Sequence, residues 1–288
     1  MKPSCINRMK PLSSLLFTVF ATAMFAGSAH GSVYSTNFDS FNLGEINGQD
    51  GWTTDSATPS AGAVIGIGGL VWGSRSASLG YVAPLDMDNV YLSHEASTPL
   101  VGGAGGTNAS FSVLFQVMDS DSGFGGGSEA RDTFGFRLQN SSGYNLFSFI
   151  LTPWDQSSTP ETDTEFNKYS WTTGSSAPTP VLVPPLYVPI RTAEEFFAYN
   201  FKIDFALSGS NDVSFVGDIN GDEFYGTLPD LGGESIDRFG AFWNTLNGKD
   251  APGSNFLILE GVSLVPEPSS LLLGLLGTSF ALARRRRP

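Results

Sequence analysis

Apolar residues in this chain recur at every second position and nowhere settle into a sustained 3.6-residue period, which limits it to a fold built from strands. Phe111, Val113, Phe115 and Val117 alternate in one segment. Phe201, Ile203, Phe205 and Leu207 do so in another, with polar residues mostly between them. Alternate residues of a strand share one face, so both segments read as half-buried antiparallel strands. Further strands are expected at Val33–Phe38, Gly69–Trp72, Val90–Ser93, Thr133–Gln139, Tyr144–Leu151, Val213–Val216, Phe239–Trp243 and Phe256–Leu264. The two clear segments extend over Ser110–Met118 and Phe201–Leu207.

Turn chemistry between these segments predicts hairpins. Asn140 to Gly143 separates two strands, and Asn220-Gly221 supplies the positive φ angles of a two-residue type I′ turn. The Pro-rich stretch Ala177–Pro189 lacks backbone donors at intervals, so it is expected as an extended surface loop rather than a central strand. With 34 glycines, 12% aromatic and only 15% charged residues, the chain has the mixture of a β-protein with generous loops. A disordered chain would not hold so many Phe and Trp residues.

The single cysteine, Cys5, sits near the N-terminus, which leaves the body without disulfides or thiolate metal ligands. The formal net charge is -13. Lys2, Arg8, Lys10, Arg284 to Arg287 and the acid Glu267 belong to the end segments. Of the 15 basic and 28 acidic residues the body therefore keeps 8 and 27, a charge of -19. Such a surface disfavours nucleic acid and anionic lipid and favours cations or neutral glycans.

Both ends carry export features. Lys2, Arg8 and Lys10 precede an apolar stretch from Leu15 to Phe25 and the small residues ending Ala29-His30-Gly31, the three-part layout of a secretory signal over 1–31. At the other end, Pro266-Glu267-Pro268 precedes an uncharged apolar run over 269–283 and the cluster Arg284, Arg285, Arg286 and Arg287. Fifteen residues at about 1.5 Å each span roughly 22 Å as a helix, short of the roughly 30 Å hydrocarbon core, so this is a marginal membrane segment. The arginines should stay cytoplasmic, with the body on the far side of the inner membrane.

Residues 265–288 resemble the PEP-CTERM sorting signal, with its three parts in order. The resemblance implies processing by an exosortase-type membrane enzyme, transient anchoring in the inner membrane and delivery to the cell surface or exterior. The body, 32–264, is expected to be one antiparallel β-sandwich. Its opening, with Phe38, Leu43, Gly48, Gln49 and Trp52, and its closing SNFLILEGVSLVPEP resemble the first and last strands of concanavalin A-like (laminin-G-like) jelly rolls. That resemblance implies that the first and last strands lie close together in one sheet.

Several groups could carry chemistry. Glu161, Asp163 and Glu165 stand at alternate positions and resemble the E-x-D-x-E strand of family 16 glucanases, implying nucleophile, electrostatic partner and acid/base in that order. Thr162 and Thr164 replace the apolar anchors of that strand, and a solvated acidic turn is the competing reading. Asp218, Asn220 and Asp222 place oxygens as calcium loops do, but Glu223 stands where the loop glycine belongs, so a plain hairpin is the alternative. Otherwise no cofactor is expected. His94 is the one histidine outside the signal and reads as a surface residue. The tryptophans at 52, 72, 154, 171 and 243 are either core or sugar-stacking surfaces.

Three functions follow. The first is a non-enzymatic surface or matrix protein that binds exopolysaccharide or another surface component; the others are a retaining glycoside hydrolase and a structural coat protein.

Overall fold

The computed structural model describes residues 34–55, 62–66, 75–79, 90–100, 108–119, 133–153, 165–174, 179–180, 188–189, 199–207, 211–229, 231, 233–244 and 255–266. Every element among them is a strand, and every pairing is antiparallel. The chain opens with β1 (Tyr34–Thr36), β2 (Gly44–Glu45), β3 (Trp52–Asp55), β4 (Gly62–Ile65) and β5 (Ser76–Leu79). Longer strands follow as β6 (Val90–Leu100), β7 (Ala109–Asp119), β8 (Thr133–Gln139), β9 (Asn145–Pro153) and β10 (Glu165–Thr172). The short β11 (Thr179–Pro180) and β12 (Val188–Pro189) precede β13 (Tyr199–Leu207), β14 (Val213–Ile219) and β15 (Asp222–Leu228). The described chain ends with β16 (Glu234–Asn244) and β17 (Asn255–Pro266).

These strands form two sheets. Sheet A runs β15-β14-β13-β7-β17-β5-β4-β2, with β1 also on β17; sheet B runs β11-β10-β9-β8-β16-β6-β3, with β12 also on β10. The long strands cross from sheet to sheet between β6 and β7, β7 and β8, β15 and β16, and β16 and β17, as in a jelly roll. First and last strands pair, Tyr34 opposite Leu264 and Thr36 opposite Val262.

The period-two pattern explains why the sheets face each other. Phe111, Val113 and Phe115 of β7 and Phe201, Ile203 and Phe205 of β13 are buried from sheet A. From sheet B, Phe134, Phe136 and Leu138 of β8, Phe147, Phe149 and Leu151 of β9, and Phe239 and Trp243 of β16 are buried opposite them. Phe201 meets Phe136 at 5.1 Å and Phe149 at 4.5 Å between ring centroids, so one ring binds two strands of the other sheet. Such aromatic pairs contribute about 0.5–1.5 kcal/mol beyond the area they bury.

The Thr133–Gln139 strand has the predicted bounds, and Ile219 pairs with Asp222 around Asn220 (φ 54°) and Gly221 (φ 96°), the expected two-residue turn. Elsewhere the structure extends or corrects the expectation. β6 continues to Leu100 and β16 begins at Glu234, well beyond their apolar centres. β3, β4, β5, β10 and β15 were not expected, because their apolar residues are few or unbroken by polar ones. Within Ala177–Pro189, β11 and β12 pair with β10 at the edge of sheet B, where proline costs no interior ladder bond, so this stretch is partly strand.

Among the described residues no helix is long and apolar enough to cross a membrane. The secretory signal at 1–31, the apolar run at 269–283 and the expected strand at 69–72 lie outside the described residues.

Candidate functional site

The face of sheet B that points away from the core is built by three ladder rows. Because Phe134, Phe136 and Leu138 turn inward, Gly135, Arg137 and Gln139 turn outward. Their cross-strand partners share that face. One row runs Ser170, Ile150, Gly135, Phe242, Tyr91, Asp55. The next runs Thr172, Ser148, Arg137, Gly240, Ser93, Thr53. The third is Asn145, Gln139, Arg238, Glu95.

Phe242, Tyr91, Ser93 and Ser148 on this face are nearly as inaccessible as core residues, so its middle is closed off from solvent although it points away from the core. Glycine shapes it: a Cβ at Gly135 would stand 2.0 Å from the Phe149 carbonyl oxygen and 2.6 Å from two carbons of the Phe242 ring, so both the close approach of β9 and the place of Phe242 require a residue without a side chain.

Arg137 lies over that ring. Its guanidinium carbon is 4.4 Å from the Phe242 centroid and 5.6 Å from that of Tyr91. The Tyr91 hydroxyl donates to the Arg137 carbonyl at 3.0 Å, which ties the second ring to the arginine's own backbone. Two aromatic faces thus hold one cation in a fixed plane. Burial pulls the Arg137 guanidinium below its ordinary value, with Tyr91 acting in the opposite direction, but an arginine stays charged over any ordinary pH. Burial likewise pushes the Tyr91 phenol up, against the pull of Arg137 and Arg238, so both cations stand close to it.

Among the described residues neither arginine makes an ion pair. Arg137 Nε and Arg238 Nε are buried without a hydrogen-bond partner. Glu95 stands opposite Arg238 in register, but no ion pair joins the two among the described residues. Sequence reading passed over these groups, since an arginine between Phe136 and Leu138 looks like an ordinary solvated position. The available signal was the recurrence of Gly and Phe beside arginine in FGFRLQ and RFGAFW.

The residues singled out from sequence fall elsewhere. Glu165 is the first residue of β10, while Glu161 and Asp163 lie outside the described residues. Asp218, Asn220 and Asp222 sit in the β14–β15 hairpin, where Asp218 Oδ1 accepts from Gly221 N at 3.2 Å and Asn220 Oδ1 accepts from Asn200 N at 2.8 Å. Among the described residues no group of three His, Cys, Asp or Glu side chains is placed to hold a metal ion. Pro266 ends β17 opposite Ala109; Glu267, Pro268 and Arg284 to Arg287 lie outside the described residues. Trp52 and Trp243 are core, Trp171 is half-buried against it, and Trp72 and Trp154 lie outside the described residues.

His94 is not a surface histidine. It is half-buried, stacked on Tyr34, with Nε2 donating to the Asp50 carbonyl at 2.8 Å and Nδ1 buried without a partner. Desolvation lowers its pKa from the usual 6.5, with the Asp50 carbonyl partly offsetting this.

On sheet A, β17 bulges at Glu260, between the residues paired with β5 and those paired with β1. Glu260 is 3% exposed and accepts from Gln116 Nε2 at 3.2 Å. Burial raises its pKa, against the lowering effect of Ser76 and Gln116.

No protein-family model matches the chain, and no curated protein sequence does. Among solved structures it is similar to the carbohydrate recognition domain of Emp47p, at 9% identity and a TM-score of 0.44 over 83% of this chain and 98% of that one. It is similar to winged bean acidic lectin complexed with methyl-alpha-D-galactose, at 10% identity and 0.41 over 82% and 100%. A third is endo-beta-1,4-glucuronan lyase from the fungus Trichoderma reesei, at 11% and 0.42 over 77% and 93%. At these values the likenesses do not say what this chain binds.

Proposed function

We propose that the chain is an exported surface or matrix protein whose sandwich holds a polysaccharide on the outward face of sheet B without cleaving it. The observation that carries the binding half is the set of polar groups on this face. Half-buried and exposed polar groups at Arg137, Arg238, Glu95, Thr53, Ser170 and Thr172 border a floor of buried rings and small side chains. Hydroxyls, a carboxylate and a planar cation are the groups that hydrogen-bond sugar hydroxyls, and a fixed guanidinium plane offers a flat surface for a sugar ring.

The acids of this face do not favour hydrolysis. Asp55 is in register with Tyr91, and Glu95 lies four residues further along β6, so their backbones are separated by roughly 13 Å. A retaining pair needs carboxyl groups about 5 Å apart and an inverting pair about 6.5–9.5 Å.

Export and sorting rest on the two ends. The layout at 1–31, Pro266-Glu267-Pro268, the apolar run at 269–283 and Arg284 to Arg287 support passage through the inner membrane and processing by an exosortase-type enzyme. β17 extends to Pro266, the first residue of Pro266-Glu267-Pro268.

The test is retention of the surface-recovered protein on its own organism's exopolysaccharide, with and without a calcium chelator. Retention lost on replacing Arg238 by Gln is the expected result. No retention in either condition, or release of reducing sugar by the protein, contradicts the reading.

A further inference from the structure

Two guanidiniums without an ion pair among the described residues are unexpected on a body with a charge of -19, and they share one face. Arg137 on β8 faces Gly240 on β16, and Arg238 lies two residues from Gly240 on that same strand, so the arginines are diagonal neighbours. Cross-strand diagonals of this kind bring long side chains within reach of a common group. Both arginines are half-buried with Nε closed off from water, and leaving that group unmatched costs free energy that the fold must offset elsewhere. Here Phe242 and Tyr91 supply part of the compensation and fix the Arg137 plane, but they accept no hydrogen bond from it.

What such an arrangement lacks is an anion. A carboxylate matches the guanidinium fork with two parallel hydrogen bonds, as two oxygens of a tetrahedral oxyanion also can, whereas a neutral hydroxyl leaves the charge unmatched. Resting on the polysaccharide reading above, we propose that Arg137, held by Phe242 and Tyr91 and assisted by Arg238, recognises the carboxylate of a uronic-acid residue, so that the ligand is an acidic polysaccharide. The two arginines offset the acids Glu95 and Asp55 that share this face, whereas the body as a whole carries an excess of negative charge that opposes polyanions. Specificity then follows from place, since an acidic glycan finds its cationic partners on this face.

The test compares the full-length chain in detergent against four probes: polygalacturonate, the same polymer fully methyl-esterified, neutral dextran and dextran sulfate. Esterification removes the charge and keeps the sugar backbone, so it probes the inference without a variant that must fold. The expected result is binding to polygalacturonate at least about tenfold tighter than to its ester, with Arg137→Gln and Arg137→Lys each abolishing that preference. Equal binding of acid and ester, or binding of dextran alone, overturns the uronate assignment and leaves the polysaccharide reading standing. Dextran sulfate bound as tightly as polygalacturonate, with Arg137→Lys silent, reduces the site to charge attraction and also overturns it. Binding to none of the four, together with no retention on the organism's own exopolysaccharide, sinks both.

Discussion

Tyr34 and His94 stack across the two sheets, ring centroids 3.7 Å apart and planes 30° from parallel. Tyr34 belongs to β1 in sheet A and His94 to β6 in sheet B, so this pair binds the first strand to the opposite layer. The Tyr34 hydroxyl accepts from Trp52 Nε1 at 2.7 Å and donates to Asp50 Oδ2 at 3.1 Å, which closes the cluster.

Protonating His94 should open that corner. Its pKa is lowered in the folded chain, so the stability it contributes is present above 6.5 and lost as pH falls below that value through the folded pKa. Thermal melts at pH 7.5 and 5.5 should show a larger drop for the native chain than for His94→Phe, which keeps the ring and cannot be protonated. Equal drops would show that His94 does not titrate between the two states.

Glu260 should behave in the opposite sense. Its folded pKa is raised above 4.5, so its favourable contribution is present below 4.5 and lost as pH rises through the folded value. Glu260→Gln keeps an acceptor for Gln116 without the charge, and should raise the denaturation midpoint at pH 7 and lose that advantage near pH 4. A variant less stable than the native chain at pH 7 contradicts burial as the dominant influence.

Gly135→Ala should disturb the outward face of sheet B through Phe242. An added Cβ must displace the ring or β8 itself, and overpacking of this kind costs about 1–3 kcal/mol. Denaturant unfolding would read the loss, and an unchanged midpoint would mean that neither the Phe149 carbonyl nor the Phe242 ring closes on residue 135.

Parts of this architecture are legible in the sequence and parts are not. Thr133–Gln139 could be read because Phe134, Phe136 and Leu138 alternate with a glycine and polar residues, and Asn220-Gly221 because only a few residue pairs suit two successive positive φ angles. β4 and β5 could not, since GAVI and SASL are buried on both faces and show no alternation. β15 offers Phe224 and Leu228 inward, with Gly226 between them where Phe215 and Trp171 fill the space, so its period is hidden by a missing side chain. The outward face of sheet B is illegible for a different reason. Tyr91, Arg137 and Phe242 come from three strands far apart in sequence, and only sheet register makes Tyr91 and Phe242 neighbours.

The C-terminal tail should be a processing signal. An uncharged run of fifteen residues holds a chain in the inner membrane only marginally, and Pro266 and Pro268 disfavour helix at the residues before them. Intact mass of the surface fraction should lack Arg284 to Arg287, and Pro266→Ala with Glu267→Ala should trap a longer form in the inner membrane. Recovery of the complete C-terminus from the surface contradicts this account.

Where the glycan sits decides the central claim, and photo-reactive oligosaccharides prepared from the organism's own exopolysaccharide measure it directly. After irradiation and peptide mapping, cross-links are predicted in β6, β8 and β16 at Tyr91 to Glu95, Gly135 to Gln139 and Arg238 to Phe242. Cross-links confined to the outer face of sheet A at Lys202, Val216 or Tyr225, or none above a competitor control, would contradict the assignment of the outward face of sheet B as the binding surface.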